Sequence, residues 1–318
     1  MDVTSFSSFR SRLVDSVSKV IVGKDDVIEQ VAFDLVAGGH ILFEDFPGLG
    51  KTTLAKAVAK ATGCEFKRIQ FTADLLPADV TGTFVLEEKK DFRFLEGPIF
   101  TQVLLADEIN RSPPKTQSAL LEAMQERQVT AENQTFKLPQ PFVVFATQNP
   151  IEYEGTYPLP EAQMDRFAMR LKMGYPSSRD ESSILGMPAA SGDLGAVSVA
   201  SSPAELLSLQ RGMESVFADD SIRDYIVRLA SATRSKQNVD VGVSPRGAIH
   251  LFRLCKARAA CSGRDHITPD DVKSLAVPAL AHRLTLAVDY QLKGVSQQSV
   301  IEQVVKETPV PKVIAPEE

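Results

Sequence analysis

Short apolar segments alternate with amphipathic helical segments between about residues 40 and 171, and this alternation restricts the fold more than any other feature of the chain. It is typical of a parallel sheet whose two faces are both covered by helices. Five segments predict strands: His40–Phe43, Phe66–Phe71, Val103–Ala106, Phe142–Thr147 and Ala168–Met173. We therefore expect an α/β domain built on a five-stranded parallel sheet.

The segments on either side of this region are predicted to be helical. Apolar residues recur at helical spacing in two N-terminal stretches, and the second stretch ends at Gly38. After Pro176 the helical periodicity continues, and no further strand is indicated. We place a domain boundary near Pro176, which gives an α/β domain over residues 1–176 and a small all-α domain over 177–318. A proline-containing, loosely ordered tail is expected from Thr308.

Two segments inside the first domain predict hairpins rather than strands of the parallel sheet. One is Thr81–Phe94, with a charged tip at Glu87–Asp91, and the other is Val129–Leu138, which turns around Glu132–Gln134. From the residues alone, surface decoration and a functional insert remain equally open for both.

Composition excludes several classes of protein. Hydrophobic residues make up 43% and charged residues 24% of the chain, which is typical of a globular protein. The formal net charge of −6 gives no overall attraction for nucleic acid or an anionic membrane. No stretch approaches the roughly 20 apolar residues of a membrane span, and the N-terminus lacks the apolar core of a signal peptide. We therefore expect a cytoplasmic protein without membrane insertion.

The three cysteines and four histidines do not predict a structural metal site. Cys64, Cys255 and Cys261 have no C-x-x-C spacing, and the histidines are scattered. We expect the cysteines to be small buried apolar residues.

The first predicted strand leads into a glycine-containing loop and then into a helical run, Leu54–Ala61. This order is that of a phosphate-binding loop, because backbone N–H groups and a helix N-terminus can surround phosphate oxygens. Glycine lets the backbone approach those oxygens without a Cβ in the way. The candidate phosphate-binding residues are Pro47, Gly48, Leu49, Gly50, Lys51, Thr52 and Thr53.

Two side chains of the loop have specific expected roles. Lys51 would reach the β- and γ-phosphates of ATP, and the Thr52 hydroxyl would be a ligand of Mg²⁺. The generic loop pattern begins with glycine, whereas this chain has Asp45 at that position.

A pair of acids follows the buried third strand directly. Asp107 and Glu108 come after four apolar residues, Val103–Ala106, which is not a surface pattern. The carboxyl ends of parallel strands are where open α/β sheets bind ligands. We expect Asp107 to hold Mg²⁺ and Glu108 to polarise the attacking water.

Three further residues are candidates for the catalytic site. Asn149 follows the fourth strand and would position the water if that strand neighbours the acidic one, although Asn-Pro is also a common turn. Arg166 precedes the last strand and is either a surface cation paired with Asp165 or an arginine finger for a neighbouring subunit's nucleotide. Arg246 follows a predicted N-cap, Ser244, and a cation at a helix N-terminus is favoured by a bound anion such as the γ-phosphate. A solvated side chain is the alternative for Arg246.

Three runs of residues together resemble the MoxR family of AAA+ ATPases, and the similarity covers nearly the whole chain. The runs are Asp107–Met124, Ala146–Pro150 and Tyr157–Phe167. The resemblance implies a P-loop AAA+ core with hairpin inserts followed by a helical lid, and it places Val22 and Gly23 beside the adenine. MoxR-like loops often carry Asp or Gly at the position of Asp45. The two hairpins become inserts that face the pore of a ring.

The resemblance also implies an activity and partners. We expect Mg²⁺-dependent hydrolysis of ATP to ADP and phosphate that drives chaperone-like remodelling or activation of partner proteins. The expected partners are further copies of this chain in a hexamer, together with a protein bearing a von Willebrand factor A domain. The alternatives are a metal-chelatase-like ATPase subunit, a nucleic-acid motor, and a nucleotide-dependent scaffold that cycles slowly or not at all. Neither hairpin tip offers net positive charge, which disfavours nucleic acid.

Overall fold

The computed structural model describes residues 3–86, 91–150, 155–186 and 194–311. The first part of the chain contains two helices followed by alternating strands and helices. These elements are α1 (Val3–Val17), α2 (Asp25–Ala37), β1 (Ile41–Glu44), α3 (Lys51–Ala61), β2 (Phe66–Gln70), α4 (Pro77–Thr81), β3 (Gly82–Leu86), β4 (Phe92–Glu96), β5 (Val103–Asp107), α5 (Pro114–Glu126), β6 (Gln128–Ala131), β7 (Gln134–Lys137), β8 (Val143–Gln148), α6 (Glu161–Met164) and β9 (Met169–Leu171).

The predicted five-stranded sheet is confirmed. Its order is β2-β5-β8-β1-β9, and every neighbouring pair is parallel. Alternate residues of the central strands belong to two separate cores, as Leu105 and Phe145 on one face and Leu104 and Val144 on the other show. Both faces are buried, which is why these strands are apolar throughout rather than alternating.

Both predicted hairpins are also present. Strands β3 and β4 form one antiparallel pair, and β6 and β7 form the other, with Glu132 at a positive φ in the turn. The hairpins meet through the stacked rings of Phe94 and Phe136, whose centroids are 4.1 Å apart. Of the charged tip predicted at Glu87–Asp91, residues 87–90 lie outside the described residues.

The second part of the chain is helical, as predicted. It contains α7 (Ser178–Leu185), α8 (Pro203–Gly212), α9 (Asp220–Arg234), β10 (Val239–Val241), α10 (Pro245–Cys261), α11 (Pro269–Leu280), β11 (Thr285–Leu286), α12 (Val288–Leu292) and α13 (Gln297–Glu307). The expectation of no further strand was wrong in one place, because β10 and β11 form a short antiparallel ribbon. Strands of three and two residues are too short to show an alternating pattern in the sequence. Most of the predicted tail, residues 312–318, lies outside the described residues.

The helical part shares one core with the N-terminal helices and one face of the sheet. All three cysteines are free and buried, as predicted. In the described part of the chain, every helix is too short or too polar to cross a membrane.

One buried carboxyl group has an unusual environment. Asp34 in α2 is fully buried, and neither of its carboxyl oxygens has a hydrogen-bond partner among the described residues. A Cβ at Gly39 would lie 2.3 Å from Asp34 Oδ1, so this close approach requires glycine. Burial raises the pKa of Asp34 to about 8, which keeps the carboxyl protonated at neutral pH.

We expect Asp34→Asn to become stabilising relative to wild type as pH rises. The folded pKa of about 8 lies above the unfolded value of 3.8, so the folded chain keeps a proton that the unfolded chain releases in this window. The part of the wild-type free energy of unfolding that comes from this bound proton is therefore lost as pH rises. Asparagine does not titrate, so the variant has no such loss. Denaturant unfolding at pH 5 and pH 8 should show the variant gaining at least about 1 kcal/mol on wild type between the two conditions.

Asp26→Asn is the matched control, because Asp26 lies on the exposed first turn of the same helix. Its stability relative to wild type should change little across this range. An equal pH dependence for both variants would contradict a protonated Asp34.

Candidate active site

A cavity of about 400 Å³ lies where β1, β5 and β8 end, and we call it the phosphate cavity after the predicted phosphate loop that lines it. Parallel strands bring their carboxyl ends to one edge of the sheet, so the loops that follow these strands meet there. The predicted phosphate loop, acidic pair and asparagine all contribute to its lining, which includes Pro47, Gly48, Gly50, Lys51, Thr52, Thr53, Asp107, Glu108 and Asn149. Strand β8 pairs directly with β5, which meets the condition on which the role of Asn149 depends.

The loop before α3 has the backbone shape that phosphate binding requires. Gly48 and Gly50 have φ values of 84° and 87°, a region that favours glycine, and Gly50 caps the N-terminus of α3. Lys51 Nζ donates to the carbonyl oxygens of Asp45 and Phe46 at 2.7 and 2.8 Å. Burial lowers the pKa of Lys51, and the carboxylates of Asp45, Asp107 and Glu108 oppose that shift.

Asp45 ties the loop to the chain beyond the sheet. Its Oδ2 accepts hydrogen bonds from the backbone N–H groups of Met173 and Gly174, which follow β9. Glycine at position 45 would lose both bonds. The departure from the generic loop pattern therefore has a structural role.

Asp107 is held from both sides. Its Oδ1 accepts from the Thr147 hydroxyl at 2.5 Å, and its Oδ2 accepts from the Nε and Nη2 of Arg68 at 3.1 and 2.7 Å. The Thr147 oxygen also accepts from the backbone N–H of Glu108 at 2.8 Å. Thr147 thus fixes both acids against the neighbouring strand.

Glu108 has a constrained backbone and an anchored side chain. Its φ is 55°, a left-handed conformation that costs energy for a residue with a Cβ and that recurs at functional sites. Its Oε2 accepts from Gln70 Nε2 at 2.7 Å and lies 3.3 Å from Arg111 Nη1. These contacts position the carboxylate over the phosphate cavity.

The sequence reasoning missed Arg68, Gln70 and Thr147. Arg68 and Gln70 are two residues apart on β2 and therefore point to the same face, beside Leu105 and Asp107 of β5. Two long polar side chains in a strand predicted to belong to a buried sheet were the available signal. Thr147 was recognised only as a strand residue.

An apolar cavity of about 220 Å³ adjoins the phosphate cavity, and both are lined by Gly48, Gly50 and Thr53. Val22 lines it, together with Ile21, Leu49, Met173, Pro176 and Ile184. Gly23 has a φ of 71°, and a Cβ there would lie 2.3 Å from the Asp180 carboxylate. The loop thus separates a polar compartment from an apolar one, an arrangement that fits the two ends of a nucleotide.

The oxygen donors of the cavity also fit Mg²⁺. The Thr52 hydroxyl and the Asp107 carboxylate line the same space, and Mg²⁺ prefers oxygen ligands shared with substrate phosphates. No cluster of three or more His, Cys, Asp or Glu side chains in the described ranges could hold a metal without such phosphates. A bound ion would offset the developing charge of a phosphoryl group.

Arg166 and Arg246 do not reach this cavity. They line another cavity of about 390 Å³, which we call the basic cavity, together with Arg127, Arg253, His40 and His250. The predicted N-cap of α10 is confirmed, because Ser244 Oγ accepts from the Gly247 N–H at 3.1 Å. Arg246 Nη2 donates to Gln125 at 3.3 Å, and its Nε lies 3.9 Å from the Asp165 carboxylate.

Arg166 is in an electrostatically unfavourable position. Burial lowers its pKa, the adjacent charge of Arg246 lowers it further, and the charges of Glu122 and Glu126 oppose these effects. Its Nε is buried and has no hydrogen-bond partner among the described residues. A guanidinium in such surroundings is stabilised by an anion.

Comparison with known proteins identifies both parts of the chain. A family model described as ATPase family associated with various cellular activities (AAA) matches residues 40–169, and an AAA lid domain model matches residues 231–304. The uncharacterized protein YeaC of Bacillus subtilis is 45% identical over 94% of both chains. Chaperone MoxR1 of Mycobacterium tuberculosis is 40% identical over 96% of this chain and 83% of its own length.

A solved structure has the same fold over its whole length. It is a crystal structure from Cytophaga hutchinsonii, assigned as that of an ATPase, with 38% sequence identity and a TM-score of 0.89. The match covers 97% of this chain and 98% of the other.

We expect Lys51→Ala to weaken nucleotide binding by about 10- to 100-fold, because a charged hydrogen bond contributes roughly 1.5–3 kcal/mol. Titration of a fluorescent ATP analogue measures the affinity. Lys56→Ala is the matched control, since Lys56 is exposed on the same helix. Equal losses in the two variants would show that Lys51 has no specific contact with phosphate.

Proposed function

Because the chain belongs to the MoxR family of AAA+ ATPases, we propose that it hydrolyses Mg²⁺-ATP in active sites shared between neighbouring copies in a ring. The chain contributes a phosphate cavity on one side and the basic cavity on the other. The observation that carries this proposal is that Arg166 and Arg246 lie together in the basic cavity, apart from the phosphate cavity of their own chain.

In the proposed mechanism the phosphate loop and Lys51 hold the triphosphate. Thr52 and Asp107 would be the protein ligands of Mg²⁺, which neutralises phosphate charge when bound. Glu108 polarises the attacking water, and Asn149 orients it. The adenine would occupy the apolar cavity, which Val22 lines, with Gly23 next to it in the chain.

Arg166 would act on the nucleotide of the neighbouring subunit. An arginine that reaches the transferring phosphoryl group stabilises the charge that spreads over its oxygens. Arg246 lies close enough to Arg166 to lower its pKa, so both guanidinium groups would approach the same phosphate. Each subunit would then need a neighbour for hydrolysis.

The hairpins support a role in contacting other proteins. Large apolar side chains are exposed on the first hairpin, with Leu86, Phe92 and Leu95 exposed by 61%, 71% and 59%. Exposed apolar patches mark interaction surfaces in monomeric proteins. We propose that this hairpin contacts the protein on which the ring acts, or a partner with a von Willebrand factor A domain.

The ring is proposed to be a hexamer, and the energy of hydrolysis to drive chaperone-like remodelling or activation of partner proteins. Residues 1–176 would form the AAA+ domain and 177–318 the lid, a division supported by the end of the sheet at Leu171. Chaperone MoxR1, at 40% identity, supports the chaperone-like role.

We expect the specific ATPase activity of the wild type to rise with protein concentration, because only assembled subunits have a complete site. Arg166→Ala should assemble in ATP as the wild type does and lose turnover by about 10³-fold or more, the usual contribution of an arginine finger. Glu108→Gln should bind ATP and assemble, and it should lose about 10²- to 10⁴-fold in turnover. Steady-state hydrolysis and native mass in ATP measure these properties.

Arg223→Ala is the control for loss of a guanidinium, since Arg223 forms an exposed ion pair with Asp220 on α9. It should keep wild-type activity. Activity that is independent of concentration and of Arg166 would rule out a shared site.

A further inference from the structure

We propose that Arg283 is a positioning residue for Arg166. The lid of one subunit would then fix the position of the arginine that acts on the nucleotide of the next subunit. This inference rests on the proposed function, in which Arg166 acts on a neighbour's nucleotide. Arg283 lies in the lid, in the short turn between α11 and β11.

The guanidinium of Arg283 is buried and fully hydrogen-bonded. Its side chain is 1% exposed. Nε donates to the carbonyl of Ala279 at 2.8 Å, and Nη1 donates to the carbonyl and Oδ1 of Asp165. Nη2 donates to the carbonyl of Phe167 at 2.6 Å and to His250 Nδ1 at 2.9 Å. All five N–H groups of an arginine are thereby used.

These bonds hold the backbone on both sides of Arg166. Asp165 and Phe167 are its immediate neighbours in the chain, and the carbonyl of each accepts from Arg283. The Phe167 carbonyl also accepts from His282 Nε2 at 3.1 Å. Burial holds the pKa of His282 well below its usual value, so this ring is neutral and donates through one nitrogen. The position of Arg166 therefore follows that of the lid.

Arg283 also contacts the segment that carries Arg246. A Cβ at Gly247 would lie 2.7 Å from Arg283 Cδ, so the first turn of α10 packs directly on the arginine stem. Ser244, the N-cap of the same helix, donates to the Asp165 carboxylate. One buried guanidinium thus lies between the backbones that present Arg166 and Arg246.

Packing alone does not account for an arginine at this position. A buried charge is costly unless its partners compensate for lost solvation, and an apolar side chain would fill the space without that cost. The planar fork of arginine can join several acceptors in a fixed geometry, whereas lysine donates from a single nitrogen. Arg283→Lys keeps the charge and removes this geometry.

The test uses rings that mix two variants, each of which hydrolyses ATP more slowly than the wild type when it is alone. Arg283→Lys should bind the fluorescent ATP analogue and assemble in ATP as the wild type does, while its kcat falls by about 10- to 100-fold, because small misplacements of a catalytic group have effects of this size. Glu108→Gln has an impaired pocket but an intact Arg166 and Arg283. Mixing the two should restore hydrolysis, because Glu108→Gln subunits place a correct Arg166 at the pockets of Arg283→Lys subunits.

Mixtures of Arg166→Ala with Glu108→Gln test the shared site separately. Restoration in this mixture and in the Arg283→Lys mixture supports the positioning role. If hydrolysis is restored in the Arg166→Ala mixture but not in the Arg283→Lys mixture, the positioning role is overturned. The defect of Arg283→Lys would then lie in the nucleotide pocket of the same subunit. Failure of the Arg166→Ala mixture overturns the shared site itself, and the role of Arg283 with it. Wild-type kcat for Arg283→Lys also overturns the positioning role.

Two further variants separate positioning from stability. Arg264→Lys alters another lid arginine, whose hydrogen bonds go to buried Asp271, His266 and Thr268 rather than to residues 165–167. It should lower the thermal midpoint and leave kcat unchanged below that temperature. Should Arg283→Lys fail to fold, Asp165→Asn weakens the same link while keeping both backbone carbonyls, and it should lower kcat and be restored in the same mixture. Unchanged kcat in Asp165→Asn would count against the link.

Discussion

The parallel sheet must be covered on both faces, and this constraint determines where polar chemistry can be placed. Central strands that are buried on both sides carry apolar residues throughout, so polar side chains are confined to the strand ends. Since all strands run the same way, three of these ends meet at one edge, where the phosphate loop, Asp107 and Asn149 converge. Thr147 then links β8 to the acids of β5 through hydrogen bonds. The geometry of the site is thus a consequence of how the sheet is buried.

Features that depend on neighbouring residues were predictable from the sequence, and features that depend on distant contacts were not. The apolar runs predict the strands, and the glycines and Lys51 before α3 predict the phosphate loop. Gln70 could not be assigned, because its contact with Glu108 joins residues 38 positions apart. The bonds from Asp45 to Met173 and Gly174, and the common cavity of Arg166 and Arg246, arise only when the chain folds. The local pattern marks Gln70 as a long polar side chain in a strand, but it does not identify the partner of such a side chain.

The two cavities differ in how their charges are balanced. In the phosphate cavity Asp107 is paired with Arg68, and Glu108 lies within 3.3 Å of Arg111. The basic cavity is lined by four arginines, and the lining residues within the described part of the chain include no acid. Asp165 lies beside this cavity, but its carboxylate is engaged mainly by Arg283 and Ser244. Outside the lining, Glu214 pairs with Arg253, and the charges of Glu122 and Glu126 act on Arg166, so the basic cavity is only partly compensated.

This incomplete compensation would give a physical reason for the proposed assembly around bound nucleotide. Burial lowers the pKa of Arg166 most, repulsion from Arg246 lowers it further, and Glu122 and Glu126 act in the opposite direction. A triphosphate held by the loop of an adjacent subunit would offset that repulsion, and its γ-phosphate would carry most of the charge that reaches Arg166. Loss of that phosphate on hydrolysis would restore the repulsion across the interface. If Arg283 fixes Arg166 to the lid, the change at the interface would act on the whole lid rather than on one side chain. The reason is that the carbonyls of Asp165 and Phe167 both accept hydrogen bonds from Arg283.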